Sequence, residues 1–466
     1  MQDGDWGHDG LMAEGQEIIE EFDLNTGGFV GAVSSIEGTG QLVTGTRNDE
    51  YGWKPLPLGP GTGGATRAAS AAAAPLENRL AVHTVRDTRG RVLGLGASPS
   101  QRGGDDDDDD DDGEAAGAGG GWEPATEAWT PHEGAVTGID VAGGVGYLGG
   151  VAGIVTSGGD GRLRLFELAG GDDGDQRDDD RDSAASGSSR SPSLDLRGQV
   201  ASHTGRATGV AATRRRAVTV GEDGVASLVD LQRLADGGGG GGGGAGAAAI
   251  IWAGAAKGAL PLSAVTFQGE SEEVFATVGC DPRSQLLVWD ARADGSRPVL
   301  TATLGYLRDS AAPYLCVASQ PFTPEVFACG VSTGELLLWD VRAGDVLHEL
   351  QAQDKSCSGG GTWGVAFHPR RPRHLFSCSG TGVLTKWYLP PEGHAPPAPT
   401  GPSFGGGGGG GGPGESWAWR GARHLHALSS RSALVGVCYD EAADTVLAVS
   451  KHGHVVVAQG VPGLRL

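Results

Sequence analysis

The sequence predicts an all-β fold assembled from repeated four-stranded units, and three observations carry that reading. Short alternating or β-branched runs joined by Gly/Asp turns fill most of the non-repetitive chain. The segments Phe275 to Asp290, Phe327 to Asp340 and Phe376 to Tyr388 share one layout, a strand, a Gly-containing turn and a second strand that ends near Trp289, Trp339 or Trp387. Those tryptophans are 50 and 48 residues apart, an interval that fits four strands with modest loops. Only Leu11 to Phe22 is compatible with a helical period.

Weaker copies extend the pattern. Val155 to Arg162 leads into Leu163 to Phe166, Val218 to Gly224 into Ser227 to Asp230, and Leu447 to Gly453 into Val455 to Val457. A further unit is split: Leu42 to Thr46 reads as a second strand and Arg79 to His83 as the third, with a Pro/Ala/Gly stretch between them. The total is seven, which predicts a seven-bladed β-propeller of WD40 type. The last unit runs out soon after its third strand, so an N-terminal strand should close the ring. The β-prone run Phe29 to Ile36 is the sequence's candidate for it.

The chain has 466 residues and 85 glycines, about 18% against a usual share of about 7%. Much of that excess lies in segments too poor in apolar side chains to offset the entropy of ordering. The expected organisation is an acidic tail over residues 1–25 and a single propeller over 26–466. Disordered loops are expected to interrupt it at about 55–75, 99–121, 170–193, 236–246 and 390–414.

Charge follows the same division. Of the net charge of −23, residues 1–23 contribute −8, Asp105 to Asp112 another −8 and residues 172–182 −5, which leaves about −2 for the rest. The acidity therefore belongs to tails and insertions, and without a basic stripe direct binding of nucleic acid is not expected. Six scattered cysteines lack a C-x-x-C pair and read as reduced thiols. No window approaches eighteen apolar residues and the amino terminus has no basic, apolar leader pattern, so membrane insertion and secretion are not indicated. The expected location is the cytosol or nucleus.

The WD-type residues point first to structure. In such blades a His in the loop leading to the first strand, an Asp in the second hairpin turn and a Trp on the third strand can share a buried polar network, tolerated only when satisfied. His132 with Asp160 and His203 with Asp223 stand in the right order, and Trp289-Asp290, Trp339-Asp340 and Trp387 supply the strand-three positions. Gly330 to Gly334 matches G-x-S-x-G, but a strand follows Ser332 where a nucleophile elbow needs a helix. His424 with His426 and His452 with His454 have the spacing of paired metal ligands and no third partner in view, so no metal or cofactor is expected. The Asp octad lacks the turn glycine and alternation of a calcium loop. No catalytic constellation emerges, and the chain is expected to be non-enzymatic.

Two motifs suggest contacts with other proteins. Trp363 opens a first strand at the propeller rim, where a partly exposed indole makes a good anchor. Arg292 and Arg342 complete two W-D-x-R sequences of the kind by which some WD40 substrate receptors dock onto the adaptor of a cullin-RING ubiquitin ligase.

The succession of segments is more specific than any one repeat. Val218 to Gly224, Leu262 to Phe267, Gln285 to Arg292, Gly334 to Gly344, Trp363 to Pro369 and His374 to Ser379 together resemble the nucleoporin-43 family, the small WD40 propellers of the Y-shaped outer-ring complex of the nuclear pore. The resemblance covers about 205 to 390 well, 422 to 466 fairly and the region before 200 thinly. It implies a scaffold without enzymatic activity that docks other nucleoporins of that complex, an α-solenoid subunit among them, and supports protein import and mRNA export at the nuclear envelope.

Overall fold

The computed structural model describes residues 18–24, 29–36, 41–47, 78–87, 122–142, 153–169, 192–237, 246–258, 260–280, 285–293, 296–302, 312–350, 360–371, 373–388, 420–427, 432–440 and 445–459. Within them lie seven antiparallel sheets of four strands each. Blade 1 is β2 (Val30–Ile36), β3 (Gln41–Thr46), β4 (Arg79–Asp87) and β5 (Trp122–Pro131). Blade 2 is β6 (Val136–Ala142), β7 (Gly153–Gly158), β8 (Arg162–Ala169) and β9 (Ser193–Ala201). Blade 3 is β10 (Ala207–Ala212), β11 (Arg216–Gly221), β12 (Val225–Asp230) and β13 (Ile250–Ala255). Blade 4 is β14 (Leu262–Phe267), β15 (Val274–Gly279), β16 (Leu286–Asp290) and β17 (Leu300–Ala302). Blade 5 is β18 (Tyr314–Ser319), β19 (Val326–Val331), β20 (Leu336–Asp340) and β21 (Asp345–Leu350). Blade 6 is β22 (Thr362–Phe367), β23 (His374–Ser379), β24 (Val383–Tyr388) and β25 (Arg420–Ala427).

Blade 7 is made from both ends of the chain: β26 (Leu434–Asp440), β27 (Thr445–Ser450) and β28 (His454–Gln459) are joined by β1 (Ile18–Asp23), which pairs antiparallel with β28 from Ile18 opposite Gln459 to Asp23 opposite His454. The first strands touch in sequence and β26 returns to β2, so the ring is closed. An N-terminal strand does close it, but Phe29 to Ile36 is not that strand. That run becomes β2, the innermost strand of blade 1, because it pairs with Gln41–Thr46 through a short hairpin. The closing strand lies within the expected acidic tail and overlaps the expected helical stretch, where Glu20 and Glu21 lowered its apparent β-propensity.

Second strands such as Val326–Val331 and Thr445–Ser450 are buried along their whole length because each blade is sandwiched between two others. Among the described residues seven apolar clusters fill the ring, each spanning two neighbouring blades; Trp289, for example, packs with Phe275 of blade 4 and with Val218 and Leu228 of blade 3. Every first hairpin carries a register shift two residues into its inner strand, as between Tyr314 and Cys316. The second hairpin turns of blades 2, 3, 5, 6 and 7 place Gly161, Gly224, Gly334, Gly382 and Gly453 at positive φ, between 72° and 96°.

The loops expected at 55–75, 99–121 and 390–414, with the Asp octad, lie outside the described residues, as does nearly all of 170–193. Of the interval 236–246 only the ends are described, and they are ordered elements instead of loop: helix α1 (Leu231–Gly237) ends within it and a short 3-10 turn (Gly246–Ala249) begins at its last residue. Leu231 and Leu234 of α1 are buried in the cluster shared by blades 2 and 3. Gly198 of β9 permits the approach, since a Cβ there would collide with the Leu234 carbonyl.

Candidate functional site

The hairpin registers superpose the blades residue by residue. The strand-three position is occupied in turn by His83, Phe166, Val229, Trp289, Trp339, Trp387 and Ala458. The second strand offers Thr44, Thr156, Thr219, Thr277, Cys329, Ser377 and Ala448 at one common offset. Trp289 Nε1 donates to Thr277 Oγ1 at 2.9 Å and Trp387 Nε1 to Ser377 Oγ at 2.8 Å. Trp339 faces a cysteine at that offset, and its buried Nε1 has no hydrogen-bond partner. In blade 1 a histidine does the work of the indole: His83 Nε2 lies 2.9 Å from Thr44 Oγ1 and Nδ1 lies 3.0 Å from Thr126 Oγ1.

The histidines of the approach loops sit in blades 2 and 3, whose strand-three position holds Phe166 and Val229 instead of a tryptophan. His203 joins Asp223 through Nδ1 at 3.0 Å and Thr219 through Nε2 at 3.3 Å, while Asp223 also accepts the amides of Thr204 and Val225. His132 bonds Thr156 and the Gly134 carbonyl, each at 3.0 Å. It does not bond Asp160. That carboxylate is taken by Arg164 of β8, whose two guanidinium nitrogens lie 3.1 and 2.5 Å from it and which also reaches Glu133 at 3.3 Å. Arg164 is only 2% exposed, so the pairing leaves no lone charge inside the blade. The polar network is thus divided: blades 2 and 3 carry its histidine end and blades 4 and 6 its tryptophan end.

Burial sets the charge states of these groups. It holds His83 down to about 4 and lowers His132 and His203, the last against the opposing pull of Asp223. Asp140 is pushed up to about 6 by burial, partly offset by the amides of Ala212 and Val141. Its bond to Ala212, at 2.7 Å, ties blade 2 to blade 3 between their innermost strands. Thr208 makes a similar tie from blade 3 to the Leu262 carbonyl of blade 4, at 2.6 Å. Burial also raises the thiols of Cys316, Cys329, Cys378 and Cys438, which makes them poor nucleophiles.

The aspartates of both W-D-x-R motifs are engaged by groups of their own turns. Asp290 accepts the Arg292 amide and grips its guanidinium at 2.9 Å through both oxygens, and Glu273 stands 3.5 Å from the same side chain. Asp340 accepts the amides of Arg342 and Ala343 at 2.8 and 3.2 Å, closing the turn into β21, while the Arg342 side chain is exposed. Trp363 is half-buried against the core between blades 6 and 7 and donates to the Gly360 carbonyl at 2.6 Å. Ser332 lies in the β19–β20 turn with β20 directly after it. His452 is exposed in a turn and its ring lies tilted against Phe29, with centroids 5.3 Å apart, whereas His454 opens β28; only the backbone of His424 and His426 is described, in β25. Among the described residues no group of three His, Cys, Asp or Glu side chains could hold a metal ion.

The strand-two hydroxyls, His83 and Arg164 were not singled out from sequence. Their signal is positional: Thr44, Thr156, Thr219 and Thr277 recur at one offset, visible only after the blades are aligned by register.

Fold and ties together define a closed seven-bladed β-propeller with WD-type blades. No family model matches the chain. Part of it is 38% identical to nucleoporin Nup43 of Mus musculus over 128 residues, 27% of this chain and 30% of that protein. A similar match to nucleoporin Nup43 of Homo sapiens is 36% identical over 104 residues, 22% of this chain and 25% of the relative. The chain thus aligns with between a quarter and a third of the length of these curated relatives.

Proposed function

We propose that this protein is a non-enzymatic scaffold subunit of the nuclear pore, of the nucleoporin-43 kind, placed at the nuclear envelope in the Y-shaped outer-ring complex. Its partners there are other nucleoporins, an α-solenoid subunit among them, and its part in protein import and mRNA export is to hold them in place. The observation that carries this reading is the similarity to two nucleoporins at 36 to 38% identity in a chain that closes as a seven-bladed ring. A rigid ring with seven blades offers several docking faces at little conformational cost, as a scaffold requires. The W-D-x-R aspartates already serve turn amides and, in blade 4, the motif's own arginine.

A fluorescent fusion expressed at native level tests the reading. It should give a punctate nuclear rim that coincides with other nucleoporins, and a diffuse signal without a rim would contradict it.

A further inference from the structure

On one face of the ring, the turns between first and second strands occupy matching positions in blades 4, 5 and 6. Gln268, Gln320 and His368 each donate their amide to the carbonyl that opens the second strand, those of Val274, Val326 and His374. Two residues further on, the same offset places Glu270, Phe322 and Arg370 at the turn tips, all three exposed. Phe322 is 52% exposed between exposed Pro321 and Thr323. The inner strands β18 and β22 lie side by side, so the turns of blades 5 and 6 adjoin.

The blade 6 turn is both rigid and basic. His368 Nδ1 accepts the Arg370 amide at 3.0 Å, which leaves Nε2–H to donate to Tyr439 Oη at 2.9 Å and pins the turn to blade 7. The turn from His368 to His374 carries Arg370, Arg371 and Arg373 and no acidic residue. An exposed aromatic ring beside a held basic turn offers apolar area next to positive potential, a pairing suited to protein recognition.

We propose that the adjoining turns of blades 5 and 6 form a docking surface for an extended segment of a partner protein, which lays an apolar side chain on Phe322 and directs carboxylates to Arg370 and Arg371. Glu270, on the far side of Phe322, fixes the polarity, since it repels acidic residues from blade 4 and sends them toward blade 6. This surface stands independently of the nuclear pore reading.

Fluorescence anisotropy with the full chain tests it, using three labelled synthetic peptides in which Glu alternates with Leu, Lys with Leu, or Glu with Ser. Saturable binding is expected for the Glu/Leu peptide alone. It should weaken at least about tenfold in Phe322→Ser and in Arg370→Glu combined with Arg371→Glu, and stay unchanged in Arg214→Glu combined with Arg215→Glu on the blade 3 turn. The single variant Arg370→Glu, at an exposed tip, decides the point if the double variant melts below wild type. The proposal is overturned if the Glu/Leu peptide does not saturate, if the Lys/Leu peptide binds as tightly, if the blade 3 variant causes the same loss, or if oligouridylate RNA binds more tightly than any peptide.

Discussion

His83 shows how a single buried ring couples the fold to pH. Burial holds its folded pKa near 4 against the ordinary 6.5, so below about pH 6.5 the unfolded chain takes up a proton that the folded chain refuses. The stabilisation is complete above 6.5 and is lost as pH falls toward 4. His132 and His203 act in the same direction. Asp140 acts oppositely: with its pKa raised to about 6, its contribution is largest below the ordinary 3.8 and is lost as pH rises through 6. Urea unfolding at about pH 7.5 and about pH 5 should show His83→Phe losing about 2 kcal/mol less stability than wild type between the two. Equal losses would mean that His83 titrates normally in the folded ring. The unpartnered Trp339 indole gives a second residue-scale expectation. Cys329→Thr places a hydroxyl where Thr277 serves Trp289, and should raise the unfolding free energy by about 1 kcal/mol in urea. A lower midpoint would contradict the tie. At this scale the sequence displayed the tryptophans and aspartates, but not Arg164 or His83, because each fills a position defined only by cross-strand register.

Among the elements, β1 has the largest consequence, since without it β28 is an open edge. A chain lacking residues 1–24 should melt roughly 10 °C or more below wild type and self-associate in size-exclusion chromatography, whereas removal of residues 1–17 should change little. Indistinguishable melting of the two truncations would show that β1 does not close blade 7. Helix α1 offers a finer probe. Gly198→Val should push Leu234 away from β9 and cost about 2 kcal/mol or more, read as a lower urea midpoint. The strong repeats of blades 4 to 6 were legible because Gly turns and Trp endings punctuate them. The closing strand was not: its two glutamates and its distance from β28 hide a pairing that depends on ring closure, a property of no local window.

For the molecule as a whole, repeat number and all-β class were written in the sequence, since each unit buries its apolar faces only against neighbours and seven such units complete a ring. Which surface meets a partner was not, because the turn tips that carry Glu270, Phe322 and Arg370 align only once the blades are superposed. The central claim is that this ring is a scaffold of the nuclear pore, and the company it keeps in the cell tests that most directly. The measurement is quantitative mass spectrometry of the lightly crosslinked, endogenously tagged protein. Enrichment of outer-ring nucleoporins, retained when Arg292 and Arg342 are both changed to alanine, is the result expected. Enrichment of a cullin and its adaptor without nucleoporins, abolished by the same double change, would contradict the account.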